Sequence, residues 1–215
     1  MFPDNYNLLY DNGKPIRLIG KSSLNERVEG FLKNSRDIEI VTLEEVVEKG
    51  EWFADNFQFM ANLSDVKFKQ NLITELAKFD LNFISVVGTS ALLHPTTKIG
   101  HNTVISNFNN ISGANINIGN HVYVSPFCSL SENSHIGDYS YISPYCYVKR
   151  CDLGQGSILG VRTSIIGDYD DGEITIAPYT NLITNSTVTK NINSAGTYYS
   201  NRLLDTGNSL EKRIL

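Results

Sequence analysis

Aliphatic residues recur every six positions between Ile99 and Val188. Ile99, Ile105, Ile111, Ile118, Val124, Leu130, Ile136, Ile142, Val148, Leu153, Leu159, Ile165, Ile176, Leu182 and Val188 mark the period. Four positions after a marked residue the side chain is usually small, as at Thr103, Cys128, Ser140, Cys146, Ser157 and Thr180. A glycine often follows directly, as at Gly100, Gly119, Gly137, Gly154 and Gly160. Such a period suits neither an amphipathic helix nor an alternating hairpin. It fits short strands separated by bends, each turning one aliphatic residue inward. Three such sides make a coil of about eighteen residues, and coils stack at the roughly 4.8 Å spacing of paired strands. One unit cannot bury its apolar face alone, so the spacing predicts a parallel β-helix. The seven-residue gap Ile111–Ile118 and the five-residue gap Val148–Leu153 compensate each other. The long gap before Ile176 holds the turn-rich segment Gly167–Gly172, which predicts a loop outside the coil. After Val188 the period is lost, and a cap and tail are expected there.

Upstream the pattern changes. Asp11-Asn12-Gly13 between Asn7–Tyr10 and Ile16–Ile19 predicts a hairpin turn. Ser23 and Glu26 form a capping box for a helix whose apolar face is Leu24, Val28, Phe31 and Leu32. Asp37–Val41 reads as a strand, and Thr42 with Glu45 caps a short helix that Gly50 stops. A strand over Phe57–Ala61, a helix over Ser64–Phe79 and a strand over Asn82–Val87 follow. Strands alternating with helices imply a small parallel sheet. The chain thus divides into a Rossmann-like α/β domain over residues 1–90 and a β-helix with its cap over residues 91–215.

At 215 residues there is room for one or two domains with a sizeable core. A net charge of −5 argues against a nucleic-acid partner, which normally meets a basic face. No apolar run is long enough to span a bilayer, and the start at Met1 lacks a signal-peptide pattern, so the cytoplasm is expected. Three cysteines show no metal spacing. Cys128 and Cys146 should stack as small core residues, and Cys151, beside the shortened gap, could be exposed. His94, His101, His121 and His135 contain no His-x4-His pair of the kind that interfacial zinc sites on β-helices use, so no metal is expected.

A small α/β domain, the linker Ser90–Gly100 and a six-residue repeat containing Ile136-Gly-Asp-Tyr-Ser-Tyr-Ile-Ser-Pro144 together resemble a known family. The chain is similar to the left-handed β-helix acyltransferases of the sialic acid O-acetyltransferase type. These include nucleotide-sugar N-acetyltransferases that make bacillosamine and perosamine derivatives. The resemblance implies a homotrimer holding acetyl-CoA between neighbouring coils, with a nucleotide-linked amino sugar on the α/β domain. The product would serve surface polysaccharide or glycan synthesis. It places the family's basic His at Glu132 and a second family His at Tyr141, while Gly20-Lys-Ser-Ser-Leu24 replaces the Gly-rich turn. It further implies CoA contacts at Arg150, Ser157, Gly160, Arg162, Thr184 and Lys190, and sugar-nucleotide contacts at Gly20, Ser22, Ser23 and Asn62.

Acyl transfer to an amine needs a positioned thioester, donors for the developing oxyanion and a sink for the amine's proton. Glu132 can be that sink if burial raises its pKa. Arg150, eighteen residues on, should stack beside it, and a plain surface ion pair is the competing reading. His135 is the second candidate and a lone turn His the competing one. His101 and His121 read as surface or subunit contacts, and His94 as a linker residue. Tyr123, Tyr139, Tyr141, Tyr145 and Tyr147 could line a cleft or pack between subunits, with Tyr141 the best cleft candidate. Two rival functions stay open: sugar O-acetylation, and a catalytically silent β-helix used for binding or assembly.

Overall fold

The computed structural model describes residues 6–32, 36–168 and 172–205; the side chains of Phe31 and Asp205 lie outside that description. The repeat folds as expected into a three-sided parallel β-helix, its faces formed by sheets of nine, six and five strands among the described residues. Tyr123–Val124, Tyr141–Ile142 and Ile158–Leu159 lie on the first face, Ser129–Leu130 and Tyr147–Lys149 on the second, and Ser134–Ile136 and Cys151–Leu153 on the third. Val124 pairs with Ile142 and Ile142 with Leu159, Leu130 with Val148, and Ile136 with Leu153. Every marked aliphatic residue is buried, and together they form one continuous core.

Coils this close leave little room between backbones. A Cβ on Gly154 would stand 2.4 Å from the Pro178 nitrogen, and one on Gly113 would stand 2.2 Å from the Glu132 nitrogen. The small buried residues hydrogen-bond to nearby carbonyls: Thr180 Oγ1 donates to Ala177 O at 2.7 Å, and Cys146 Sγ to Gly160 O at 3.2 Å. Most corners turn on one residue with positive φ, including Phe108, Phe127 and Tyr145 at 62–63°. That conformation costs a non-glycine residue roughly 1–2 kcal/mol. The rings offset it by stacking one coil above the next, Phe108 on Phe127 and Phe127 on Tyr145, each at 5.2 Å.

The N-terminal part supplies β1 (Tyr6–Leu9), β2 (Ile16–Ile19), α1 (Ser23–Leu32), β3 (Ile38–Val41), α2 (Leu43–Asn56), β4 (Gln58–Met60), α3 (Val66–Leu76) and β5 (Ser85–Gly88). β2 lies between β3 and β4, all three parallel. Thr42 and Glu45 form the expected capping box on α2.

Several expectations change. No hairpin joins β1 to β2, because β1 pairs antiparallel with β5 and so belongs to the first face of the coil. The Asp11 carboxylate instead accepts from Gly13 N and Gln58 Nε2. Gly50 kinks α2 without ending it. The strand expected over Asn82–Val87 serves two sheets: Asn82–Ile84 bridges β4 at Phe59, and from Ser85 the chain joins the coil. Winding continues past Val188, with Ile192 bridging Ile176 and Gly196–Tyr199 adding to the first face before a hairpin with Arg202–Asp205. Asp168 pairs with Gly172 at the base of the expected loop, whose residues 169–171 lie outside the described residues, as do 206–215 of the tail. Cys151 is fully buried.

Gly30 and Gly113 should therefore respond oppositely to alanine. Gly30 on α1 has nothing within 4 Å of an added Cβ, so Gly30→Ala should raise stability by about 0.5–1 kcal/mol. Gly113→Ala should lower it by more than about 2 kcal/mol in urea unfolding, since backbone must move.

Candidate active site

The order β3-β2-β4 makes the chain reverse its winding between β2 and β4. In parallel sheets that reversal opens a crevice beyond the carboxyl ends of the strands. Gly20 leaves β2 with φ +84°, and α1 begins three residues later. Ser22 caps the helix: its Oγ accepts from Asn25 N at 3.0 Å and donates to Asn62 O at 2.5 Å. The cap thus stands one residue before the expected Ser23, which is exposed. Asn25, fully buried, donates through Nδ2 to Ile19 O at 2.9 Å and Gly20 O at 2.6 Å, and accepts at Oδ1 from Asn62 N at 3.0 Å. Gly20, Ser22 and Asn62 therefore stand together past the carboxyl ends of β2 and β4, with the Ser22 hydroxyl committed inside the fold. Asn62 is 1% exposed, and its Nδ2 has no hydrogen-bond partner. A buried donor left unmade costs about 1–3 kcal/mol. Sequence reasoning missed Asn25; an Asn among the helix's first apolar positions was the signal for it.

On the coil, Glu132 stands half-buried just before the bend at Asn133, between the second and third faces. Ser131 Oγ donates to its Oε2 at 2.8 Å, and Lys149 Nζ lies 3.5 Å from its Oε1. Lys149 thus stands beside Glu132; Arg150 also stacks one coil on, as expected, its N donating to Glu132 O at 3.0 Å and its Nε to Asp168 O at 3.2 Å. His135 points outward from the third face, its Nδ1 paired with Asn117 Nδ2 at 2.8 Å. Tyr141 lies on the first face, stacked 5.4 Å from Tyr123 and packed against the core of the N-terminal part. Glu132, His135 and Tyr141 thus occupy a corner and two different faces, and do not converge within one chain. Tyr123, 1% exposed, also packs inside the chain and not between subunits.

Among the expected CoA residues, Ser157 is turned into the coil, where its Oγ accepts from Thr180 N at 3.3 Å. It occupies the inward small-residue position, so its side chain cannot line a groove. Gly160 lets the next coil approach, a Cβ there standing 2.5 Å from Thr184 N. Arg162 is exposed, its guanidinium 5.9 Å above the Tyr145 ring, and Thr184 and Lys190 are exposed as well. Gly160, Arg162 and Thr184 therefore share the upper coils, while Arg150 stands on another corner.

His94 pairs with Thr96, and His101 stacks on Tyr10 at 3.8 Å. His121, expected at the surface, is buried beneath α3: it stacks 4.6 Å from Tyr139 and accepts at Nδ1 from Asn102 Nδ2 at 2.8 Å. Its carbonyl accepts from the buried Lys69 Nζ at 2.7 Å. Burial pushes the imidazole from 6.5 down to about 4, Lys69 and His101 acting in the same direction and the Asp138 carboxylate against it. Burial alone pushes Lys69 from 10.5 down to about 8. Among the described residues no group of three or more His, Cys, Asp or Glu is placed to hold a metal, and no helix is long and apolar enough to cross a membrane.

Residues 115–150 match the family model of the bacterial transferase hexapeptide, six repeats. No curated protein matches the chain. Among solved structures, the acetyltransferase domain of PglB from Neisseria gonorrhoeae FA1090 superposes with a TM-score of 0.69, covering 86% of this chain and 96% of that one at 12% identity. In complex with acetyl coenzyme A the same domain gives 0.70, with 89% and 98% covered at 12% identity. PerB from Caulobacter crescentus, in complex with CoA and GDP-perosamine, gives 0.70, covering 89% and 96% at 14% identity. The likeness is one of fold, and it extends over both the sheet and the coil.

Between pH 6.5 and 4 the unfolded chain binds the His121 proton that the folded chain refuses, so stability falls as pH falls through that window. The contribution is up to about 3 kcal/mol. Urea unfolding of His121→Phe should show a shallower acid loss than wild type. By the same sign, Lys69 contributes a rise in stability from pH 8 to 10.5 that Lys69→Met should lack.

Proposed function

We propose that the protein is an acetyl-CoA-dependent N-acetyltransferase acting on a nucleotide-linked amino sugar for glycan synthesis. The observation that carries this reading is the switch point with its unmade Asn62 donor, joined in one chain to a coil that matches the hexapeptide transferase model over residues 115–150. PerB, alike in fold over both parts, is in complex with CoA and GDP-perosamine. In this reading the coil winds in the left-handed sense, residues 1–90 hold the nucleotide and residues 91–215 the acyl donor. The protein works in the cytoplasm, a compartment that its free cysteines suit.

In the reaction the sugar's amine attacks the acetyl carbonyl, the N–C bond forms, the C–S bond breaks, and CoA leaves as its thiol. The amine's proton needs an acceptor. Glu132, with Lys149 Nζ 3.5 Å from its Oε1, is that acceptor, and a carboxylate is by nature a weak base. A weak base suffices for an amine and is poor for a hydroxyl, which favours N- over O-transfer.

The chain does not complete the site alone in this reading. Between Glu132 and the stacked Phe108, Phe127 and Tyr145 runs the second face, whose Leu92 is 61% exposed. Two further copies of the chain cover that face in a homotrimer, and acetyl-CoA lies in the groove, near Gly160, Arg162, Thr184 and Lys190.

Glu132→Ala should lower kcat by roughly tenfold in a thiol-release assay. Complete loss of turnover would overturn the weak-base role, and absence of acetyl-CoA binding to the wild type in calorimetry would replace the enzyme by a silent module. Phe127→Glu should give a monomer in sedimentation that binds acetyl-CoA poorly. A monomer with undiminished binding would remove the neighbouring subunit from the site.

A further inference from the structure

We propose that Asn102, on the coil and backed by His121, is a positioning residue for the crevice: it sets where the Ala61–Asn62 segment stands. The inference rests on the reading above, in which that crevice takes the nucleotide. On its outer edge β4 is paired with Asn82–Ile84, Phe59 N donating to Asn82 O at 2.8 Å and Ile84 N to Phe59 O at 3.0 Å. At Ser85 the chain leaves this ladder for the coil, where Ser85 Oγ donates to Gly100 O at 2.7 Å. The next pair of groups on β4, those of Ala61, would then face no strand. Asn102 takes the missing place. Its Oδ1 accepts from Ala61 N at 2.8 Å and its Nδ2 donates to Ala61 O at 3.1 Å, so one side chain imitates a paired peptide.

The orientation of that carboxamide is fixed from behind. Nδ2 gives its second proton to His121 Nδ1 at 2.8 Å, which a flipped amide could not do. His121 is held in turn by the Tyr139 ring and, at its carbonyl, by Lys69. Asn102 stands in the same corner column as His121 and Tyr139, and its φ of 53° is one that asparagine tolerates well. Ala61–Asn62 is thereby gripped from two sides, by Ser22 and Asn25 of α1 and by Asn102 of the coil. Asn62 carries the unmade donor, so a shift of Ala61 displaces the group that would meet a ligand acceptor. The coil therefore contributes to the nucleotide subsite without touching its ligand.

Calorimetry with UDP, GDP and dTDP, and separately with acetyl-CoA, tests this on the full chain. Asn102→Asp keeps an acceptor for Ala61 N and loses both donations. It should weaken binding of whichever nucleotide the wild type takes by about tenfold, leave acetyl-CoA binding unchanged and speed amide exchange at Ala61. His121→Phe keeps a ring over Tyr139 and removes only the orienting acceptor, so its loss should be smaller, about threefold; it carries the test if Asn102→Asp does not fold. Equal losses for nucleotide and acetyl-CoA would mark a plain folding role and overturn the proposal. Wild-type nucleotide affinity in both variants, with Asn62→Ala impaired, would overturn it while leaving the crevice reading intact. If the wild type binds none of the three nucleotides, the crevice reading fails and this inference falls with it.

Discussion

In-register stacking of parallel strands is the constraint on which the rest of the structure depends. Each coil buries its aliphatic residues only because the coils above and below cover them, and the backbone hydrogen bonds close only at that register. Glycine stands where a Cβ would strike the next coil, small polar residues stand where the chain bends inward, and positive φ recurs at the corners. Aromatic residues hold such corners against their own preference because stacking brings another ring directly above.

The N-terminal part is seated on this frame by more than a linker. One continuous segment, Asn82–Gly88, pairs first with β4 and then with the coil. Tyr123 and Tyr141 lend their outward faces to the core beneath α1, and Lys69 of α3 reaches a corner carbonyl of the coil. The crevice and the coil are thus parts of one packed body.

Electrostatics distinguishes Glu132 from the buried His121 and Lys69. At Glu132 a carboxylate and the Lys149 ammonium meet at 3.5 Å in a half-exposed place. At His121 and Lys69 burial favours the neutral forms, and neither group is free to act as an acid or base toward a substrate. They serve the fold, and through Asn102 the crevice.

The six-residue period, by itself, determined the β-helix, its inward residues and the compensating gaps, because a repeat that stacks on itself carries its own tertiary contacts within its spacing. The capping pair Thr42–Glu45 and the strands flanking α1 were equally legible, being local. Only the tertiary structure decided where β1 pairs, that Asn82–Val87 is shared between two sheets, and that His121 and Cys151 are buried. Each depends on which distant segment lies alongside. The same holds for the proposed site: Gly20, Ser22 and Asn62 came from the resemblance, but Lys149 beside Glu132, Asn25, Asn102 and the inward turn of Ser157 were not legible in the chain. Those side chains are aimed by bends at single residues such as Asn133, and by a strand that leaves its sheet; spacing along the chain records neither.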